Sequence, residues 1–464
     1  MAVNKFISSS LFLFLTRLVD AAGSWLYWLI ISKFTSTFEV GQATSIYSLI
    51  LLVSTITQVG LEYPILKNSS VQRSHILANT LIIETIITCT SIPFVFFILA
   101  NINQGSLEKF SWLGSGILIL TSITFVSHFV ILGILNAKSI FILDTAGTIT
   151  KFVSGYFFVA MGFGAFGILL SFLIYFLWLS SISLILAYKI FGLQFGSVNI
   201  RYIKRILKDG LTNMPSNLSK IIIFSLSIVL LATFGINSSE IGTFYITLMI
   251  SIVGGSLVTS MAYMVLPASS ISKVDLFSKS MRIGLSLTAP IIAGMIASPK
   301  FILSFLGPQY TSAEMALFLL SIGILPYSIF TNTISKFNYS GQSRRIVFLG
   351  SLQVFIFLLA FFLLVPQYKT LGAAFSILIA FTVSSILAVS WSARDDTRYV
   401  GNSVIAIVVG WAVGYMVNIL LSNVFAYQFL SIITSVSVTM AVIVTLKNIS
   451  TVEIKAILEF VIKR

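Results

Sequence analysis

Residues 6–31 read FISSSLFLFLTRLVDAAGSWLYWLII, an apolar run whose only charged members are Arg17 and Asp20. A helix needs about 20 mostly apolar residues to cross the hydrocarbon core of a membrane. The run is longer than the apolar core of a secretory signal peptide, which has about 7–15 residues, and no small-x-small cleavage motif follows it. The stretch therefore predicts a membrane-spanning helix that carries two charges.

The composition of the whole chain has the same character as this run. Of its 464 residues, 57% are hydrophobic and 9% are charged, whereas a soluble domain has about 25% charged residues. Mean hydropathy is +1.03, so the chain needs lipid as the solvent for its surface. One cysteine, Cys89, excludes an internal disulfide and a thiolate metal cage, and the two histidines cannot form a zinc site by themselves.

Further stretches satisfy the same length rule along the whole sequence. We predict an all-α integral membrane protein with about 14 transmembrane helices, since these runs are long, apolar and separated by short polar links. The predicted spans cover residues 6–33, 40–66, 76–100, 112–135, 140–162, 165–190, 210–235, 240–267, 280–299, 313–336, 346–365, 370–391, 402–422 and 427–446.

The distribution of positive charge tests this span count. If the N-terminus is cytoplasmic, 21 of the 28 Lys and Arg residues lie in inside loops and tails, four lie outside and three lie within spans. This bias follows the positive-inside rule, and one missed helix would invert every later loop. We therefore expect a multi-pass protein of the cell (inner, cytoplasmic) membrane with both termini in the cytoplasm. Because topology explains the net charge of +14, nucleic-acid binding is not expected.

Three motifs recur in the same order in the two halves of the chain. The matching pairs are Glu39-Val40-Gly41 with Glu240-Ile241-Gly242, Tyr63-Pro64 with Leu266-Pro267, and Gly164-Ala165-Phe166-Gly167 with Gly372-Ala373-Ala374-Phe375. Each half then contains six helices in the same orientation, which implies a pseudo-twofold axis along the membrane normal. We predict an N-lobe over residues 1–192, a C-lobe over 193–395, and two further helices with a basic amphipathic tail over 396–464.

Three cations fall near the middle of predicted spans, namely Arg17, Lys151 and Lys220. Each lies about eleven residues from a span end, close to the middle of a core about 30 Å thick. A charge at this depth costs about 2.5–3.5 kcal/mol on insertion scales, so each must face water or a partner. The repeat offset places Arg17 within one turn of Lys220. We therefore predict that the three line a central cavity for an anionic ligand, such as the phosphate of a lipid carrier.

Three acids lie within the same set of spans, namely Asp20, Glu84 and Asp144. Each can couple transport to H+ or Na+, and each can instead form a salt bridge with a cation of the cavity. Asp20 follows Arg17 by three residues on the same helix face, so these two charges can also neutralise each other. His128 in the fourth span is interpreted as a buried, hydrogen-bonded histidine, with a proton relay as the alternative.

Several short motifs resemble those of a known group of transporters. They are Glu39-Val40-Gly41, Val59-Gly60-Leu61, Leu306-Gly307-Pro308-Gln309-Tyr310, Tyr339-Ser340-Gly341-Gln342-Ser343-Arg344 and Leu371-Gly372-Ala373-Ala374-Phe375. Together they are similar to the Wzx-type O-antigen and capsule flippases of the MOP superfamily, over spans one to twelve. The resemblance implies a MOP/MATE-like fold with two six-helix lobes around a cationic cavity. It also implies alternating-access transport of a polyprenyl- or dolichyl-(pyro)phosphate-linked oligosaccharide from the cytoplasmic to the outer leaflet.

The expected function is therefore transport without catalysis. The expected partners are the lipid-linked oligosaccharide and membrane lipids, and the protein is expected to be a monomer that works beside glycan polymerase or glycosyltransferase machinery. No cofactor is expected beyond a coupling H+ or Na+, and the sequence has no Gly-x-x-x-x-Gly-Lys-[Ser/Thr] loop for ATP.

Two alternative transport functions stay open. The first is a MATE-like cation-coupled exporter of small molecules, which the excess of cations over acids disfavours. The second is a lipid II flippase, which the small number of arginines in the first span disfavours. A membrane glycosyltransferase or polymerase would need clustered acids or a large outside loop, and every predicted outside loop is short.

Overall fold

The computed structural model describes residues 2–69, 73–101, 107–134, 136–192, 199–272, 277–391, 394–420 and 425–449. The helices, in chain order, are α1 (Ala2–Phe34), α2 (Thr37–Thr57), α3 (Glu62–Asn68), α4 (Arg73–Asn101), α5 (Ser111–Gly133), α6 (Ala137–Ala160), α7 (Gly164–Phe191), α8 (Ile200–Thr233), α9 (Ser238–Ser272), α10 (Phe277–Ala297), α11 (Pro299–Ser304), α12 (Glu314–Tyr339), α13 (Ser343–Ser390), α14 (Arg394–Leu420) and α15 (Phe425–Thr445).

The predicted all-α class is confirmed, and the predicted spans lie on these helices. Predicted span two is divided between α2 and α3, and spans eleven and twelve share α13, which bends where Lys369 leaves the helical region with φ 49° and ψ −126°. Within the part of the chain that the structure describes, nine helices are each long and apolar enough to cross a membrane. The chain is thus a multi-pass membrane protein, as the hydropathy pattern predicts.

The start of α2 shows how the sequence sets a helix boundary. Ser36 precedes the first turn, and its Oγ accepts a hydrogen bond from the backbone N–H of Glu39 at 3.3 Å. In return, the backbone N–H of Ser36 donates to Glu39 Oε2 at 2.9 Å. This reciprocal capping box satisfies donors that the first turn of a helix leaves unpaired. Glu39 of the repeated motif therefore has a structural role at the helix start.

The chain divides into two compact units. Unit 1 comprises Met1–Ile246, Ile346–Val354 and Val365–Ala373, and unit 2 comprises Thr247–Arg345, Phe355–Leu364 and Ala374–Arg464. In unit 1 an apolar cluster joins α3, α4, α5, α7 and the start of α8, with Ile65, Ile76, Val126, Ala187 and Ile206 fully buried in it. The division into lobes after residues 192 and 395 stays a prediction.

In unit 2, α14 and α15 pack closely because glycines face small residues. A Cβ atom at Gly414 would lie 2.6 Å from Ser435 Cβ and 2.9 Å from the carbonyl oxygen of Ser431. A Cβ atom at Gly410 would lie 2.8 Å from the carbonyl oxygen of Ser435. Gly410 and Gly414 form a Gly-x-x-x-Gly pattern, which lets membrane helices approach each other closely. Van der Waals contact between these residues holds α14 and α15 together.

Substituting Gly414 by leucine is therefore expected to destabilise unit 2. The added side chain must displace the backbone of α15, and overpacking of this kind costs about 1–3 kcal/mol. We expect a lower melting temperature for the purified protein in detergent, measured by thermal unfolding. Gly401→Leu is the matched control, because it lies on the same helix with nothing within 4 Å of its Cβ position. Equal melting temperatures for the two variants would contradict the packing account.

Candidate functional site

Helices α1, α6 and α7 of unit 1 enclose the side chain of Lys151. Lys151 lies on α6 and is only 7% exposed. Its Nζ lies 5.3 Å from the ring centroid of Tyr27, 5.8 Å from that of Phe172 and 5.2 Å from that of Tyr175. We call these three rings the Lys151 cage. Cation–π attraction of a desolvated ammonium is worth about 2 kcal/mol, so the rings offset part of the cost of burying this charge.

The Lys151 cage is itself held in place by polar and ring contacts. The hydroxyl groups of Tyr27 and Ser171 form a hydrogen bond of 2.7 Å. The ring of Tyr47, from α2, stacks on Phe172 with a centroid distance of 4.1 Å and an interplanar angle of 9°. Fixed rings keep the ammonium in one position, which is what a binding site with a defined electrostatic field requires.

A group of charged residues surrounds Asp20, one turn along α1 from Arg17. Arg17, Lys151, Asp144 and His128 all lie close enough to interact electrostatically with the Asp20 carboxylate. Asp20 Oδ1 is buried, and it has no hydrogen-bond partner among the residues that the structure describes. Arg17 itself is exposed. The structure thus brings four of the predicted site residues together, and we call Arg17, Asp20, His128, Asp144 and Lys151 the charged cluster.

His128 and Asp144 form an ion pair within this cluster. His128 Nε2 lies 2.9 Å from Asp144 Oδ1, and His128 Nδ1 lies 3.0 Å from the carbonyl oxygen of Thr124. Because a carbonyl oxygen only accepts, Nδ1 must carry a proton. Nε2 and Oδ1 lie within hydrogen-bond distance of each other. The interpretation of His128 as a buried, hydrogen-bonded side chain agrees with these contacts.

The partnership of His128 and Asp144 is a feature that the sequence analysis missed, although a signal for it exists. The two residues lie eight positions before and eight positions after Asn136, in the turn between α5 and α6. Equal spacing about a short turn places two side chains at the same depth on adjacent antiparallel helices. The Lys151 cage has no comparable signal, because aromatic residues are frequent throughout the chain.

Glu84 on α4 lies apart from the charged cluster. Its side chain is 1% exposed, and neither carboxylate oxygen has a hydrogen-bond partner within the described part of the chain. Thr88, one turn further along the same helix, also has a buried hydroxyl oxygen without a described partner. A buried carboxylate without partners is costly unless it binds a proton or a cation.

Lys220 is the one predicted cavity cation whose side chain lies outside the described residues. The structure places its backbone in α8 and describes nothing further about it. The expectation that it is the repeat equivalent of Arg17 therefore stays a prediction.

The two copies of the repeated Glu-x-Gly motif meet in unit 1. Gly41 near the start of α2 and Gly242 near the start of α9 face each other, and a Cβ atom at Gly242 would lie 2.6 Å from the backbone nitrogen of Gly41. The side-chain hydroxyls of Thr37 and Ser239 are hydrogen-bonded across the same contact. We call these four residues the α2–α9 contact. Only glycine permits so close an approach of two backbones.

An ion pair lies beside the α2–α9 contact. Lys369 Nζ donates to Glu240 Oε1 at 2.8 Å, and the lysine side chain is 60% exposed while that of Glu240 is 37% exposed. Glu240 is the repeat equivalent of Glu39, which caps α2. Exposed ion pairs contribute little to stability, so this pair is better suited to a contact that forms and breaks.

Comparison with known proteins finds similar structures but no matching sequence. Neither a protein-family model nor a curated protein sequence matches the chain. One similar structure is the lipid II flippase MurJ in an inward closed conformation, with a TM-score of 0.70 and 14% sequence identity over 95% of this chain and 98% of that one.

Transporters of the MATE type are also similar in structure. An inward-facing multidrug resistance MATE family transporter of the MOP superfamily has a TM-score of 0.60 and 16% identity, over 85% of this chain and 97% of that one. A MOP superfamily transporter from Pyrococcus furiosus, described as having a binding pocket of reverse polarity, has a TM-score of 0.55 and 15% identity over 86% and 96%. At these identities the likeness concerns the fold, and this chain has the membrane fold shared by MOP superfamily transporters.

Proposed function

We propose that the chain is a flippase. It moves a polyprenyl- or dolichyl-(pyro)phosphate-linked oligosaccharide from the cytoplasmic to the outer leaflet of the cell membrane by alternating access. The observation that carries this proposal is the charged cluster, in which an exposed arginine on α1 and a caged lysine on α6 lie in predicted spans one and five. Such a site favours an anionic head group, because the anion compensates positive charges that are costly to place within the bilayer.

The two described cations have different roles in this proposal. Arg17 is exposed and binds phosphate oxygens directly, since a guanidinium group presents paired donors that match a phosphate. Lys151 is enclosed by aromatic rings, and it acts on the phosphate through the electrostatic field of a site with low dielectric constant. Lys220 is proposed to complete the site from α8. The prenyl tail stays in lipid while the head group crosses.

The acids supply a route for coupling to H+ or Na+. Glu84 has two buried oxygens without described partners, which suits a carboxylate that binds a proton or a cation during the cycle. Asp144 is hydrogen-bonded to His128, and Asp20 interacts electrostatically with both cations of the cluster. We propose that one of these acids changes its protonation or cation occupancy when the protein changes conformation.

The alternative functions differ from this one in the ligand. A lipid II flippase is supported by the structural likeness to MurJ, which spans nearly the whole of both chains. A MATE-like exporter of small molecules is supported by the second group of similar structures. The caged lysine disfavours an exporter of cationic compounds, because like charges repel in a site of low dielectric constant.

A flipping assay in proteoliposomes tests the proposal. The purified chain is reconstituted with a fluorescent polyprenyl-pyrophosphate oligosaccharide, and the fraction reaching the opposite leaflet is measured with and without H+ and Na+ gradients. Flipping faster than in empty liposomes is the expected result. Transport of a fluorescent lipid II analogue alone, or of a small cationic dye alone, would replace the proposal with the corresponding alternative.

Lys220→Glu is expected to abolish flipping while leaving membrane insertion intact. A carboxylate at this position would repel the phosphate of the substrate, and each 1.4 kcal/mol of lost transition-state stabilisation slows a step about tenfold. The measurement is the flipping rate, normalised to the amount of reconstituted protein. Lys208→Glu is the matched control, because Lys208 is exposed near the start of the same helix. Full activity of Lys220→Glu would remove the role assigned to this lysine.

A further inference from the structure

A cavity of about 460 Å³ lies within unit 2, away from the charged cluster. It is bounded by the end of α10, α11, the start of α12, the end of α14 and the start of α15. Sites for small ligands have volumes of about 300–1,000 Å³. The cavity therefore has room for a ring-sized ligand, and none of its lining residues belongs to the repeated motifs or to the charged cluster.

Three aromatic rings form one wall of this cavity. The rings of Trp411 and Tyr415 stack with a centroid distance of 5.7 Å and an interplanar angle of 28°. Phe318 meets Trp411 with a centroid distance of 6.1 Å and an angle of 60°. Phe318 and Tyr415 line the cavity together with Trp411. Flat aromatic faces with partial negative charge pack well against groups that present polarised C–H bonds.

The polar residues of the cavity include both donors and acceptors. Asn418 and Gln428 carry amides that donate and accept, Lys300 donates and Glu314 accepts. The indole Nε1 of Trp411 has no hydrogen-bond partner among the described residues. A buried donor without a partner gains free energy when a ligand supplies an acceptor.

The combination of these two walls selects a class of ligand. A pyranose sugar has an apolar face of C–H bonds and a rim of hydroxyl groups, each of which donates and accepts. An anion such as phosphate would be attracted by Lys300 and repelled by Glu314, so the cavity has no net charge that would select it. An acyl chain would supply no partner for the amide of Gln428 or for the indole N–H of Trp411. Of these ligands, a sugar satisfies both the aromatic wall and the mixed polar wall.

We propose that this cavity binds one sugar ring of the glycan head group. The inference rests on the proposed function, because that function supplies the glycan. Under the predicted topology, the ends of α10 and α14 and the starts of α12 and α15 face the outside. The cavity then receives a sugar that has already crossed the membrane, and it disfavours return of the head group to the cytoplasmic side.

Sugar binding can be tested without transport. The full chain is purified in a detergent without a sugar head group, and saturation-transfer-difference NMR is recorded with glucose, galactose and N-acetylglucosamine as probes. At least one sugar is expected to bind, and Trp411→Phe is expected to weaken its binding about fivefold through loss of one hydrogen bond. Tyr415→Ala, at an exposed position, is expected to weaken binding by a similar factor through loss of the stacking wall.

Trp112→Phe is the matched control, since this exposed tryptophan lies in unit 1. The proposal is overturned if none of the sugars binds, if the Trp411 and Tyr415 variants bind as well as the unaltered protein, or if glycerol 3-phosphate binds in place of the sugars. The flipping assay separates this result from the proposed function. Flipping without sugar binding would refute only the cavity proposal, and sugar binding without flipping would refute only the flippase.

Discussion

Lys151→Met is expected to reduce the flipping rate by about tenfold or more. Methionine keeps the unbranched stem within the aromatic cage, so the change removes the charge and little volume. Asp20 then loses the electrostatic attraction of Lys151 and keeps that of Arg17. Its carboxylate is therefore less well compensated than in the unaltered protein. The net charge that the charged cluster presents to an anionic head group also becomes one unit less positive.

The flipping rate in proteoliposomes and the melting temperature in detergent together test this prediction. Lys109→Met is the matched control, because Lys109 is exposed and its Nζ lies 4.9 Å from the centroid of a single ring, that of Phe110. The double variant Asp20→Asn, Lys151→Met is expected to regain stability but not transport. Recovery of transport in the double variant would show that Lys151 only neutralises Asp20, and the substrate role would be wrong.

A disulfide between Thr37→Cys and Ser239→Cys is expected to stop transport. The two hydroxyls are hydrogen-bonded across the α2–α9 contact, so we expect the thiols of cysteines at these positions to be within reach of each other. Under the predicted topology this contact is on the outside. Under the predicted division into lobes it joins the N-lobe to the C-lobe, so alternating access would require it to open. A covalent link across it therefore prevents the outward-open conformation.

The crosslinked protein should be inactive after oxidation and active again after reduction by dithiothreitol. The native Cys89 is exposed, so both variants are made in a Cys89→Ser background. Each single-cysteine variant serves as a control for the effect of the substitution and of the oxidant. An unchanged flipping rate in fully crosslinked protein would show that the α2–α9 contact does not need to open during transport.

Much of the fold follows from local properties of the sequence. Whether an apolar run of about 20 residues partitions into lipid depends on its composition and length. The spans can therefore be predicted from the amino-acid sequence alone. The same holds for Ser36 and Glu39, whose spacing specifies the start of α2. The position of Arg17, Asp20, Asp144 and Lys151 along their helices is likewise predictable, and their depth in the membrane stays a prediction.

The environment of each charged residue could not be predicted in this way. Lys151 was expected to line an open cavity, and the structure surrounds it with the rings of Tyr27, Phe172 and Tyr175. The sequence allowed Asp144 to form a salt bridge with a cation of the cavity, and in the structure its partner is His128. Depth along a helix does not specify which helix is its neighbour or which face meets that neighbour.

The sequence by itself determined that this chain spans a membrane many times and which segments form its long apolar helices. The free energy of transferring an apolar segment into lipid depends mainly on that segment's own composition. These properties can therefore be predicted without knowing how the helices pack. Only the tertiary structure decided that the two Glu-x-Gly motifs meet at Gly41 and Gly242, that an aromatic cage encloses Lys151, and that a cavity with aromatic and polar lining residues lies beside Trp411. Such contacts join residues far apart in the chain, and they depend on the van der Waals fit between helix faces, which no single segment encodes.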